Sequence, residues 1–96
     1  MSFLVERRLR SVGRRLRVLR EELDVANEQL EHFSELADDS RLRSLVSETP
    51  LAEEEHRAAE RTSSAMARHR VSLIEEIARL EDEQDELLDK LSTSRR

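Results

Sequence analysis

Histidines and carboxylates are the side chains of this sequence that could do chemistry. His32 and His56 each have a glutamate four residues away, Glu28 and Glu60, a spacing that puts both side chains on one face of a helix. A metal site needs three or four converging ligands, and the chain has no HExxH or equivalent spacing and no cysteine. We therefore expect solvent-exposed histidines, His69 included, and no metal, no cofactor and no catalytic residue.

Acid–base or nucleophilic catalysis has no better support in the composition. Of the 96 residues, 41% are charged, 36% hydrophobic and 2% aromatic, which leaves material for only a thin core. Such a core cannot enclose a pocket that would shift the pKa of a paired carboxylate or of a Ser-His-acid set. We expect a protein that is not an enzyme.

The fold class follows from the same composition. One Gly, one Pro and long runs of Glu, Arg, Leu and Ala are typical of a chain that is almost wholly helical. The chain is long enough for one domain, residues 1–96, and we expect no sheet. The prediction is an all-α protein.

Two stretches show the alternating spacing of three and four residues that marks a coiled-coil seam. The seam of the first stretch is Leu9, Val12, Leu16, Leu19, Leu23, Ala26, Leu30, Phe33 and Ala37. The seam of the second stretch is Ala59, Ser63, Met66, Arg70, Leu73, Ile77, Leu80, Gln84, Leu87 and Leu91. Each stretch therefore predicts a long helix with one apolar edge.

One antiparallel register pairs the two seams throughout. In this register the numbers of two facing residues always add to 96, as they do for Leu9 with Leu87 and Leu16 with Leu80. The chain therefore folds back at residue 48. The distribution of charge favours the same register. This register places residues 6–20, with a net charge of +6, opposite residues 75–90, with a net charge of -6. The prediction is an antiparallel coiled-coil helical hairpin.

The arginines of residues 6–20 could also be taken for a nucleic-acid-binding stripe. The register supplies an acidic strip opposite them, and no aromatic side chain that could stack on bases lies among them. We therefore expect a salt-bridged face, and no nucleic acid among the partners.

Boundary signals divide the region between the two seams. Asp38, Asp39 and Ser40 predict the end of the first helix and the cap of a short one, and Thr49-Pro50 predicts an N-cap followed by a proline in the first helical position. The expected elements are a helix over about 3–38, a short helical segment at the tip over about 41–47, a helix over about 50–92 and a frayed tail over 93–96.

Apolar residues outside the seam predict further contacts. Val18 and Val25 are one heptad apart on the first helix, and Ile74 and Leu88 are two heptads apart on the second. Such residues are more stable against another surface, so we expect them to form a self-association face and the hairpin to dimerise into a four-helix bundle. Within the seam, Arg70 is polar, and it either fixes the register or extends past Ala26 to an acid at Asp24 or Glu28.

Neither a signal peptide nor a membrane span is expected. The N-terminal residues lack an apolar segment of the required length, and no run approaches the roughly 18 apolar residues of a transmembrane helix. With no cysteine available for disulfides, we expect a cytoplasmic protein.

The stretch "ETPLAEEEHRAAE", residues 48–60, resembles the loop and second-helix start of the Gre transcript-cleavage factors. That resemblance implies a hairpin whose acidic tip enters RNA polymerase, with Asp38, Asp39, Glu53 and Glu54 as the tip acids by position. Because Thr49-Pro50 replaces the glycine–aspartate step of that family, we expect polymerase binding without cleavage from such a hairpin. The richness in Arg over Lys and the phrase "RRLRVLREEL" also resemble small coiled-coil proteins of actinobacteria, which implies an intracellular helical protein and adds no site.

Two functions follow as hypotheses. The first is a non-enzymatic structural or adaptor protein that self-associates and binds a protein partner at its tip, residues 38–56, or on an outer face. The tip residues are Asp38, Asp39, Leu42, Leu45, Val46, Glu53, Glu54 and Glu55. The alternative is a transcription regulator that inserts this acidic tip into RNA polymerase.

Overall fold

Two long helices account for the described chain. The computed structural model describes residues 2–94, in which α1 spans Ser2–Ser47 and α2 spans Pro50–Ser94 and no strand occurs. The predicted all-α helical hairpin is confirmed. Helix α2 includes residues 93 and 94, which were predicted to fray, and the rest of that predicted tail lies outside the described residues.

The helices form two compact units. Residues 2–23 pack with residues 72–94 in the first, which we call the terminal unit. Residues 24–71 form the second, which we call the turn unit because it contains the turn between the helices. Each candidate site below lies within one of these units.

Ion pairs between the helices establish the register of the terminal unit. Arg8 contacts Glu83, with Nε to Oε2 at 2.5 Å, and Arg15 Nη2 lies 3.2 Å from Glu76 Oε1. Both arginines directly precede a seam leucine. Arg20, which directly follows a seam leucine, pairs with Glu81 at 3.4 Å on the other flank of the seam. In an antiparallel register whose facing residue numbers add to 96, residues on the same flank of the seam meet across the two helices, as these pairs do. The predicted match of the basic and acidic blocks is therefore confirmed.

The terminal unit holds most of the buried apolar side chains. Val12 and Leu16 are 1% exposed and Leu19 is fully buried. Helix α2 contributes Leu73, Ile77 and Leu87, each at most 9% exposed. Burial of these large side chains is the main contribution to the stability of the unit, because the ion pairs beside them are exposed and surface pairs contribute little.

The turn unit follows the same register with a thinner core. Its seam brings Ser40 Oγ within 3.3 Å of His56 Nδ1, and Ser34, which directly follows the seam residue Phe33, lies with its Oγ 3.4 Å from that of the seam residue Ser63. Its buried seam residues are small ones, Ala26, Ala37 and Ser40. The large seam residues Leu30, Phe33 and Met66 are half-buried. The turn unit thus leaves apolar surface beside its seam accessible.

The predicted break after residue 38 is wrong, because α1 continues to Ser47 and no separate short helix follows. The hydroxyl of Ser40 donates to the Ala37 carbonyl at 2.8 Å, and the hydroxyl of Ser44 donates to the Arg41 carbonyl at the same distance. A serine that bonds back within its own helix satisfies its hydroxyl there and caps nothing. Ser40 and Ser44 also extend the spacing of three and four residues of the seam, which gives α1 a packing reason to continue.

The turn lies where the register places it. Glu48 has a φ of 49° and its amide donates to the Ser44 carbonyl at 3.1 Å, which closes the last turn of α1. Thr49 then accepts a hydrogen bond from the Ala52 amide at its Oγ1, 3.2 Å away, and Pro50 begins α2. The predicted N-cap and the predicted start of the second helix are both confirmed.

Replacing Glu48 with glycine should stabilise the protein. A residue with a side chain is disfavoured in the left-handed region, whereas glycine adopts it freely at the end of a helix. After the entropy that glycine loses on folding is subtracted, we expect Glu48→Gly to raise the free energy of unfolding by about 0.5–1 kcal/mol. Urea unfolding followed by circular dichroism measures this difference. Glu48→Ala is the matched control, and an equal gain from it would show that the backbone conformation is not the cause.

The Arg8–Glu83 pair should contribute stability only above the acid range. The Arg8 guanidinium, by its hydrogen bonds and its charge, lowers the pKa of Glu83 from the usual 4.5. A carboxylate with a lowered pKa stabilises the fold above that usual value and loses this contribution as the pH falls through its folded pKa. We expect Glu83→Gln to melt below wild type at about pH 7 in low salt, and the two to melt together once the pH is below the folded pKa of Glu83. Unequal melting temperatures at the acid end would contradict this assignment.

Candidate protein-interaction surfaces

The predicted tip residues are all exposed. Those before the turn belong to α1, and those after it belong to the start of α2. Leu42, Leu45 and Val46 are 62%, 64% and 85% exposed, and Leu51 across the turn is 69% exposed. Asp38, Arg41, Leu42 and Leu45 line a shallow groove on the outer surface of α1. Residues at these spacings share one face of a helix, so the turn unit presents an apolar stripe with charges at its edge.

The tip acids do not converge on one point. Glu54 accepts hydrogen bonds from Arg57 at 3.2 Å and Arg61 at 3.5 Å, both on its own helix. These bonds and the charges of the two arginines lower the pKa of Glu54. Asp38 and Asp39 are exposed on α1. Within residues 2–94 no group of three or more potential ligands is close enough to hold a metal ion.

Three residues in the turn unit resemble a Ser-His-acid triad in composition. Ser40 Oγ lies 3.3 Å from His56 Nδ1, and His56 Nε2 lies 3.8 Å from Glu60 Oε1. Ser40, however, is 4% exposed and its hydrogen goes to the Ala37 carbonyl, so His56 donates to this oxygen and takes no proton from it. The arrangement is a polar layer of the seam and cannot activate a nucleophile.

The contact of His56 with Glu60 was predicted from the sequence, and its contact with Ser40 was not. The missing signal was available, because residues 40 and 56 also add to 96. Of the other histidines, His32 and His69 are both exposed, and His32 stacks edge-on against Phe33 with ring centroids 5.4 Å apart.

Arg70 takes neither of its two expected acidic partners. Its Nε donates to Asn27 Oδ1 at 2.5 Å, while Ala26, the seam residue opposite, is 2% exposed. The stem of Arg70 therefore lies along the seam with its guanidinium at the flank. Two other arginines of the turn unit, Arg57 and Arg61, bond to Glu54 within α2.

Within the terminal unit, the predicted self-association residues lie on both flanks of the seam. Val18, Val25, Ile74 and Leu88 are exposed by 44%, 52%, 39% and 49%. In the terminal unit, Val18 lies one helical turn beyond Arg15, on the flank where Arg15 meets Glu76. Ile74 and Leu88 lie one heptad on either side of Glu81, which meets Arg20 on the opposite flank. Their spacing along each helix predicts a shared face only where the residues occupy the same flank of the seam.

A second groove, which was not predicted from the sequence, lies between the two helices of the turn unit. Its lining is Phe33, Leu36, Ala58, Ala59 and Thr62. Leu36 is 40% exposed, and Phe33 and Ala59 are half-buried. The available signal was Leu36, which directly precedes the seam residue Ala37 and faces the small residues of α2.

Comparison with models of protein families, with curated proteins and with solved structures gives no significant match. Over the described residues, neither helix has a segment that combines the length and the apolar character needed to cross a membrane.

Proposed function

We propose that this protein is a non-enzymatic structural or adaptor module of the cytoplasm, which binds a protein partner at the turn unit and self-associates. The observation that carries the proposal is the exposure of Leu42, Leu45, Val46 and Leu51, each at least 62% exposed. Leu42 and Leu45 line one groove, and large apolar side chains exposed in this way are stabilised when a partner covers them. Recognition would then be packing of helix on helix, with the neighbouring charges selecting the partner.

The charge of this surface narrows the chemistry of the partner. Residues 38–55 contain six acids and two arginines, a net charge of -4. Apolar side chains at the centre and negative charge at the rim suit a partner helix or groove with apolar anchors and a basic border.

Affinity capture from the lysate of the native cell tests the proposal. Wild type is compared with Leu42→Ser/Leu45→Ser, and Leu88→Ser in the terminal unit is the matched control. We expect the tip variant to lose a protein that wild type and the control variant retain. Identical captured proteins from all three baits would contradict a partner site at these leucines.

The alternative function is a transcription regulator that inserts the acidic tip into RNA polymerase. Exposure of Asp38, Asp39 and Glu53 on both sides of the turn favours it, because acids that enter a channel must be accessible. A variant with all five tip acids converted to amides, at Asp38, Asp39, Glu53, Glu54 and Glu55, separates the two functions. If it fails to bind purified RNA polymerase that wild type binds, the regulator is supported. If wild type itself does not bind the polymerase, the regulator is excluded.

A further inference from the structure

The groove between the helices of the turn unit has one wall of small side chains. Ala58, Ala59 and Thr62 form the α2 side, and Phe33 and Leu36 form the α1 side. Small residues let the backbone of another helix approach closely, and a second helix would cover the accessible parts of Phe33 and Leu36. Ala65, one heptad beyond Ala58, continues the same exposed row of α2.

The charges along this row of α2 are arranged symmetrically with opposite signs. Glu54 and Glu55 lie before the small residues, and Arg68 and His69 lie after them. The midpoint of this pattern falls at Arg61 and Thr62, and Ala58 and Ala65 are equally far from it. When such a segment is laid antiparallel on a second copy of itself, acids meet bases at both ends and alanine meets alanine between them.

We propose that a second copy of this chain docks here, with the 54–69 segments of the two α2 helices packed antiparallel about a two-fold axis near Thr62. Glu55 of each copy then lies by Arg68 of the other, and Ala58 lies by the other Ala65. This proposal rests on the self-association in the proposed function and specifies its interface. A two-fold axis makes the contact close on itself, so the product is a dimer and not a filament.

Between the paired 54–69 segments, like charges meet at the axis, where Arg61 approaches its own copy. Arg61 Nη2 lies 3.5 Å from Glu54 Oε1 of its own helix, and this contact offsets its charge locally. A parallel arrangement would instead place Glu55 by Glu55 and Arg68 by Arg68, which opposes association at both ends. The charge pattern therefore selects the antiparallel arrangement.

Reversing one charge at a time tests the arrangement. In the antiparallel dimer, Glu55→Lys creates two repulsive contacts, and so does Arg68→Glu. We expect each variant alone to raise the dissociation constant about tenfold in sedimentation experiments. An equimolar mixture of the two variants has attractive pairs at both ends, so its heterodimer should return to the wild-type affinity. Variants that dimerise as well as wild type would overturn the antiparallel arrangement.

A steric test does not depend on charge pairing. Ala65→Glu places a larger, charged side chain on the proposed interface, whereas Ala67→Glu makes the same change on the opposite flank of α2, also at an exposed residue. We expect Ala65→Glu to be a monomer and Ala67→Glu to be a dimer, with equal helix content by circular dichroism. A wild type that is monomeric at tens of micromolar would overturn self-association itself. A dimer that is insensitive to Ala65→Glu would overturn this interface and leave self-association standing.

Discussion

Replacing Leu19 with alanine is expected to destabilise the protein by about 2–5 kcal/mol. Leu19 is completely buried in the terminal unit, and the register places it opposite Ile77, which is 9% exposed. The change removes apolar contacts and leaves a cavity that two rigid helices cannot fill. For a domain of this size, that loss is a large share of the roughly 5–15 kcal/mol of typical stability.

Urea unfolding followed by far-ultraviolet circular dichroism measures the loss. Leu88→Ala is the matched control, because it makes the same change in the same unit at a leucine that is 49% exposed. We expect the control to cost well under half as much as Leu19→Ala. Equal losses would show that Leu19 does not form the core of the terminal unit.

Replacing Arg70 with leucine should stabilise the protein by about 1–2 kcal/mol. Arg70 occupies a half-buried seam position beside Ala26, where a leucine would bury more apolar surface. The substitution removes an exposed hydrogen bond to Asn27, which contributes less than the gained burial. The two residues have similar helix propensities, so the difference reports packing.

The same unfolding experiment with Arg79→Leu provides the control, because Arg79 is exposed on α2 and the change there gains little burial. If Arg70→Leu were the less stable of the two variants, the hydrogen bond to Asn27 would be more important than seam packing. The oligomeric state of the Arg70→Leu variant is a second measurement. Loss of a single oligomeric state would show that Arg70 specifies the pairing of the helices at a cost in stability.

The register could be predicted from the sequence because many weak signals agreed on it. A shift by one heptad would have removed Leu16 from Leu80 and Arg15 from Glu76 together. The fold point at Glu48 followed from the same pairing, with Thr49 and Pro50 supplying independent local chemistry. Agreement between local capping and long-range pairing is the condition under which a sequence specifies one fold.

The helix end at Asp38 to Ser40 was predicted wrongly because capping residues are ambiguous on their own. Ser40 can cap a new helix or bond back within the old one, and tertiary packing decides between these outcomes. Here the seam position of Ser40, opposite His56, favours the continuous helix. Extending the register by two more layers would have shown this.

The interaction surfaces were harder to predict than the fold. A seam residue has a partner within the chain, so its role can be checked by pairing, whereas an exposed residue such as Leu45 has none. The assignment of Val18 to the flank opposite Ile74 and Leu88 was accessible in principle from their positions in the heptad. The groove at Phe33 and Leu36 could not be predicted from spacing alone. Its existence depends on how much of the Phe33 side chain the small residues of the seam leave exposed.

Both proposed surfaces exist only if α1 and α2 of one chain pair in this register, and a disulfide tests that pairing most directly. The chain has no cysteine, and the seam pair Ala37 and Ala59 tolerates small replacements, so oxidation of Ala37→Cys/Ala59→Cys reports a designed contact. Ala37→Cys/Ala67→Cys is the control, because Ala67 lies outside the seam. We predict that the first pair forms a cross-link within a single chain in dilute solution and that the control pair does not. Cross-linking mainly between chains, or equally in both pairs, would contradict the hairpin and the surfaces built on it.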